Sequence, residues 1–294
     1  MKIGYNEGCS RENSDLALDL VLSEKAGFDY IEPHLLKLRE YFQKRSLDDL
    51  KRFFAGSRLK PHAINGIYLY DGFLLENDRP EHTRALLEEI RFACATALEI
   101  GSPAIIVVPP MNPEAANQPF GLPWSETLPR LAATLKKLSE LAGGYGVRLA
   151  LELVGSPRCS VRTLSQAKEV IDAVACPNVG YTLDAFNLYL YNKLNHFEEI
   201  AALDPEKIFV VHINGAERDM PAEDLRQKHR TFCDRGVLDV PGFLRSLAAT
   251  GYNGMVSIEF FREDCWAKPA EWVIEEAYRT TRAAMERCGV YPAK

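Results

Sequence analysis

The feature that most limits the fold is a rhythm: short, nearly uninterrupted apolar runs recur along the chain, separated by longer stretches of helical periodicity. Ala104-Ile105-Ile106-Val107-Val108 and Ile208-Phe209-Val210-Val211 show no alternation of polar and apolar residues. A strand with one face in water alternates, whereas a parallel strand covered by helices on both faces does not. Eight runs are predicted as strands, over residues 2–5, 30–32, 60–65, 104–108, 148–153, 179–184, 208–213 and 255–260. Helix starts lie between them: Ser14-Asp15, Ser46 with Asp49, Ser125 and Thr163 offer capping oxygens, and Pro241 and Pro269 sit where a first turn tolerates them. Gly27, Gly101, Gly143-Gly144 and Gly251 follow as stops. No break in composition marks a linker, so residues 1–294 are expected to form one α/β domain, and eight strand–helix units are the count of a (β/α)8 TIM barrel. An open doubly wound sheet uses the same units, but no GxGxxG or Walker loop accompanies them here.

Charge narrows the partners. A formal charge of -6 argues against a nucleic-acid surface, which needs a basic excess to displace counterions from phosphates. The seven cysteines include no CxxC pair, which fits reduced thiols and gives neither a disulfide framework nor a zinc ribbon. Met1-Lys2-Ile3-Gly4-Tyr5 reads directly as a strand, with neither a signal peptide nor a membrane span, so the expected location is the cytoplasm and the expected partner a small polar molecule.

The chemistry is written at the ends of the last four strands. They close on Leu151-Glu152, Leu183-Asp184, Val211-His212 and Ile258-Glu259. In a parallel barrel these ends converge on one rim, where barrel active sites are built. One carboxylate at a strand end says little, because such residues usually cap the next helix or face water. A ligand-type residue at each of four successive ends is much harder to assign to chance. Three carboxylates and one imidazole suit Mn2+ first, with Mg2+, Co2+ or Zn2+ also compatible, and four protein ligands leave coordination positions for a substrate.

With the segments Tyr5-Asn6-Glu7, Phe28-Asp29-Tyr30-Ile31-Glu32, Leu153-Val154-Gly155-Ser156-Pro157-Arg158-Cys159 and Ile258-Glu259-Phe260-Phe261-Arg262, the quartet resembles the xylose-isomerase-like barrel superfamily of sugar isomerases and epimerases. Within it the chain is most similar to the inosose isomerases, along essentially its whole length. The resemblance implies that Glu152, Asp184, His212 and Glu259 hold one divalent metal ion, and that Glu152 and Glu259 flank the substrate and pass its protons. It implies a keto-cyclitol or keto sugar as substrate, with conversion of 2-keto-myo-inositol to the 1-keto isomer as the leading reaction, and points to a homo-oligomer.

Two departures bear on the substrate. Many relatives carry a histidine three residues after the sixth-strand aspartate; here that place holds Asn187, which can hydrogen-bond but cannot ferry a proton near neutral pH. The segment Arg230-Thr231-Phe232-Cys233-Asp234-Arg235-Gly236 keeps the arginine and the glycine of a common family turn but differs between them. Besides Asn187, the expected substrate contacts are Arg218, Arg230, His62 and Glu32, with Asn6 and Asn65 also at the strand ends. The long connections at residues 109–123 and 214–236 are candidate substrate walls, and Trp124 and Trp266 candidate apolar surfaces. Alternatives on the same metal are a ketose 3-epimerase, an inosose dehydratase or an enzyme of 3-keto glycosides. A phosphodiester hydrolase of the apurinic endonuclease type would want more than six histidines and a basic face.

Overall fold

The computed structural model describes residues 1–69, 73, 80–113, 118–218, 221 and 224–291. Strands β1 (Lys2–Asn6), β2 (Tyr30–Glu32), β3 (Lys60–Pro61), β4 (Ala63–Tyr68), β5 (Ala104–Val108), β6 (Arg148–Glu152), β7 (Val179–Asp184) and β8 (Ile208–Ile213) appear in chain order. The short β9 (Gly215–Ala216) and β10 (Arg230–Thr231) follow, and β11 (Met255–Ile258) comes last. The main sheet runs β3-β2-β1-β11-β8-β7-β6-β5-β4, with parallel pairing throughout. Its two terminal strands, β3 and β4, are separated in the chain only by His62, so they are two pieces of one stave and the sheet closes into a barrel of eight staves. Helices α1 (Leu16–Ala26), α2 (Leu35–Lys44), α3 (Leu47–Gly56), α4 (Pro80–Ile100), α5 (Trp124–Gly143), α6 (Leu164–Val174), α7 (Ala185–Asn192) and α8 (Val240–Ala249) lie between the staves, and α9 (Glu263–Trp266) and α10 (Ala270–Arg287) follow the last.

The unbroken apolar runs have the cause inferred from them. In β5, Ala104 and Ile106 join an inner cluster with Ala63, Ala150 and Phe209. Ile105 and Val107 pack outward in the large core shared with the helices. Both faces are dry, so neither tolerates polarity. Three of the caps hold: Asp15 accepts the Leu18 N–H, Ser46 and Asp49 form a reciprocal capping box, and Thr163 accepts from Gln166, whereas Ser125 lies inside α5, which starts after Pro123 with no side-chain cap. All seven cysteines are free, and among the described residues no helix is long and apolar enough to cross a membrane.

One strand differs from expectation by more than two residues. The third stave is not an even run over residues 60–65: it divides at His62, continues to Tyr68, and shifts register against β5 between Ile64 and Ile67. The shift has a use. An irregularity in a strand re-aims a side chain that regular pleating would send elsewhere, and here the Asn65 amide reaches Glu259 at 2.9 Å.

Candidate active site

Glu152 and Asp184 are the last residues of β6 and β7, His212 lies in β8, and Glu259 directly follows β11. Their ligand atoms all lie within 4.8 Å of one another, and all four residues are buried. His212 Nδ1 is 3.2 Å from Glu259 Oε2, 3.7 Å from Asp184 Oδ2 and 4.0 Å from Glu152 Oε1. The ring is held from behind: its Nε2 lies 2.9 Å from Glu32 Oε2, while Nδ1 has no hydrogen-bond partner of good geometry. A carboxylate behind the distal nitrogen fixes the tautomer and leaves the other lone pair aimed forward, the usual arrangement for a metal-binding histidine. Asn6 Nδ2 bridges Glu32 and Glu259 at 2.8 and 3.0 Å. Asp184 does double duty, because Oδ1 caps α7 by accepting the Asn187 N–H at 2.7 Å while Oδ2 accepts from Arg230 at 2.6 Å.

The electrostatics call for a cation. Burial pushes the Glu152 carboxyl up to about 8, and the neighbouring Glu259 charge adds to the rise. Burial also works against ionised Asp184 and Glu259, but Arg230 and His212 outweigh it and hold both below the ordinary carboxylate range. Burial lowers the basicity of His212, and the charges of Glu259 and Glu32 more than reverse that, leaving it well above its ordinary value. Carboxylates packed this closely draw protons and the Arg230 guanidinium to themselves in place of bulk water. The orphaned Nδ1 and the oxygen-rich donors fit a divalent metal ion, which would supply the same positive charge.

Above the quartet opens a cavity of about 740 Å³, walled by Tyr68, Val108, Met111, Val154, Phe261 and Trp266, with Arg11, Arg158 and Lys228 also lining it. Of the quartet only Glu152 and Glu259 reach it, at 5% and 2% exposure, while Asp184 and His212 are sealed at 0%. Asn187 and Arg230 also line it. Arg230 lies between the Phe186 and Phe261 rings, 4.8 and 5.6 Å from their centroids, and its guanidinium nitrogen is 3.2 Å from Glu259 Oε2.

The other expected contacts lie elsewhere. Glu32 is fully buried behind His212, where its Oε2 meets the ring nitrogen and the Asn6 amide instead of the cavity. His62 marks the break between β3 and β4, bonds the Phe209 carbonyl at 2.9 Å, and lines a cavity shared with Lys60 and Arg148, the first residues of their strands. It therefore faces away from the quartet's rim. Arg218 is exposed and does not line the cavity. Trp266 forms part of the wall, whereas Trp124 donates to Glu169 on the helical exterior. The long connections contribute Met111 and Pro113 from one side and Gln227, Lys228 and Arg230 from the other. Gln227 escaped the sequence reading because its role depends on how its loop folds back, which no periodicity encodes.

The model of the xylose isomerase-like TIM barrel family matches residues 20–284. This chain belongs to that family. A family member from Halalkalibacterium halodurans named inosose isomerase is 34% identical over 283 residues, 96% of this chain and 95% of its own. The inosose isomerase of Bacillus subtilis is 34% identical over 282 residues, 96% of each chain. Among solved structures, a 1.8 Å crystal structure of IOLI protein with a binding zinc atom superposes with a TM-score of 0.88 at 33% identity, covering 98% of this chain and 99% of that one.

Proposed function

We propose that this family member is a metal-dependent isomerase of keto-cyclitols, interconverting 2-keto-myo-inositol and its 1-keto isomer by proton transfer through an enediolate. The substrate class rests on the likeness to inosose isomerases along almost the full length of both chains. The reaction rests on one observation: of four clustered ligand-type residues, only the two glutamates open onto the substrate space. Glu152, Asp184, His212 and Glu259 would hold the ion, with Mn2+ or Zn2+ best suited to the mixed oxygen and nitrogen donors. When bound, it polarises a carbonyl and eases loss of the neighbouring proton.

The chain's own residues supply the rest. Glu259 keeps Oε1 anchored by two amides, Asn6 and Asn65, so its other oxygen is held in one orientation toward His212 Nδ1 and Arg230. Glu152 is anchored through Oε1 by Asn187. One glutamate removes the proton from the hydroxyl-bearing carbon beside the carbonyl and returns it to the former carbonyl carbon, while the other passes the hydroxyl proton to the former carbonyl oxygen, so the carbonyl moves by one position. Phe261, Trp266 and Val154 exclude water from the ring, and Arg230 balances the negative charge that develops between the two carboxylates.

The test is NMR of metal-loaded protein with 2-keto-myo-inositol in deuterated water. The expected result is a new keto-cyclitol carrying deuterium beside its carbonyl, with Glu259→Gln reducing the rate by about 10²-fold or more, as for loss of a positioned acid–base group. Deuterium exchange without a new positional isomer would replace the isomerase by an epimerase. Loss of water from the substrate would replace it by a dehydratase.

A further inference from the structure

Three side chains beside the quartet form a hydrogen-bonded row that ends on Glu152. Arg230 Nε donates to Gln227 Oε1 at 2.6 Å, Gln227 Nε2 donates to Asn187 Oδ1 at 3.1 Å, and Asn187 Nδ2 donates to Glu152 Oε1 at 2.9 Å. The direction of the row is imposed by its Arg230 end. A guanidinium has only donors, so Gln227 gives it its oxygen and turns its amide nitrogen to Asn187, whose own nitrogen is then left for Glu152. Each amide is locked by the next, and Glu152 Oε1 always meets a donor.

We propose that Gln227 is a positioning residue for Glu152, acting through Asn187. An asparagine alone can turn either its oxygen or its nitrogen toward a carboxylate, and the wrong choice sets two acceptors against each other. Gln227, oriented by buried Arg230, removes the wrong choice. The side chain comes from the turn Gln227–His229, immediately before β10, so the row also ties the long loop after β8 to a carboxylate on β6. The same guanidinium contacts Asp184 and Glu259 through Nη1, a different nitrogen from the Nε that meets Gln227, so those ion pairs do not pass through the row. The kinetic part of this inference rests on the isomerase reading; the row itself does not.

The experiment uses Gln227→Met, which keeps the length of the side chain and removes both polar atoms, together with Asn187→Leu and the double variant. Steady-state kinetics on metal-loaded enzyme are expected to show kcat reduced about tenfold to a hundredfold in Gln227→Met, the range typical of removing a residue that orients a ligand or catalytic group. KM should stay within about threefold and the loss should scarcely deepen in the double variant, because residues acting in one chain are not additive. A raised KM with unchanged kcat would make Gln227 a substrate contact and overturn the proposal. So would losses that multiply in the double variant, or a fall in thermal stability with kcat intact. In parallel, 15N-labelled side-chain amides are observed by NMR without substrate: removing Gln227 should shift the Asn187 amide pair, and an unmoved pair defeats the row. Should the unmodified enzyme turn over no inosose while that shift appears, the substrate reading fails and the row stands.

Discussion

A single residue, Glu32, separates being near a site from being in it. It shares the strand-end position of the metal-type residues, yet it faces the ring of His212 from behind and never meets the cavity. Its work is orientation: one oxygen receives the imidazole N–H and the Asn6 amide, which presents the other imidazole nitrogen to the carboxylates. Replacing Glu32 by Gln keeps the shape but makes the outer-shell partner neutral, and its amide can turn a donor toward the ring. Metal affinity is expected to fall about 10- to 100-fold, measured by competition with a chromophoric chelator. An unchanged affinity would mean that packing alone holds the ring. The sequence shows Glu32 at a strand end, and only the distance to Nε2 shows which side of the ring it serves.

At the scale of elements, the small hairpin of β9 and β10 carries the part of the site that comes from a loop. Arg230 pairs with Ala216, and Arg262 braces the hairpin through Glu217 and the Arg230 carbonyl. The hairpin closes on Gly236, whose φ of +90° disfavours any side chain, and a Cβ there would lie 1.7 Å from the Ala216 carbonyl oxygen. Gly236→Ala must therefore open the hairpin or strain it. The expected cost is about 2 kcal/mol or more in denaturant titration, the size of a forced left-handed conformation plus a clash. A loss of kcat should accompany it, because Arg230 moves with the hairpin; full activity at reduced stability would show that the arginine is held by its carboxylates alone. The glycine was visible in the sequence as the end of a recognisable segment, but the carbonyl it must avoid lies 20 residues upstream and belongs to the fold.

For the whole molecule, closure of the barrel is what converts four distant residues into one site. Parallel register sets Asp184 beside His212 and Ser257 beside His212 on the other side, so neighbouring staves deliver their ends at one height. Ionised Glu152 stays costly in this buried cluster until a further cation joins it, and a metal that binds only the folded chain links binding to stability. Stripping the protein with a chelator is expected to lower Tm. Restoring Mn2+ or Zn2+ at about a hundred times its Kd should return about 2.7 kcal/mol, some 5 °C or so for a chain this long. A Tm indifferent to metal would remove the quartet's claim to bind one.

The sequence by itself determined the alternation of strand and helix, the doubly buried strands and the four strand-end residues, because these are local: they follow from runs of apolar side chains and from which residue ends each run. The same locality explains why Asn187 and Arg230 could be named in advance, one by its spacing from Asp184 and the other by its place in a family segment. The tertiary structure alone decided which flanking residues meet substrate space. His62 and Lys60 lie beneath the barrel, Glu32 lies behind the histidine, and Arg218 stays in solvent, while Gln227 returns from a long loop to complete the row to Glu152. Side-chain direction at a stave's end depends on register, on a shift such as that between Ile64 and Ile67, and on where a loop folds back. Those are relations between distant segments, and no single stretch of chain carries them.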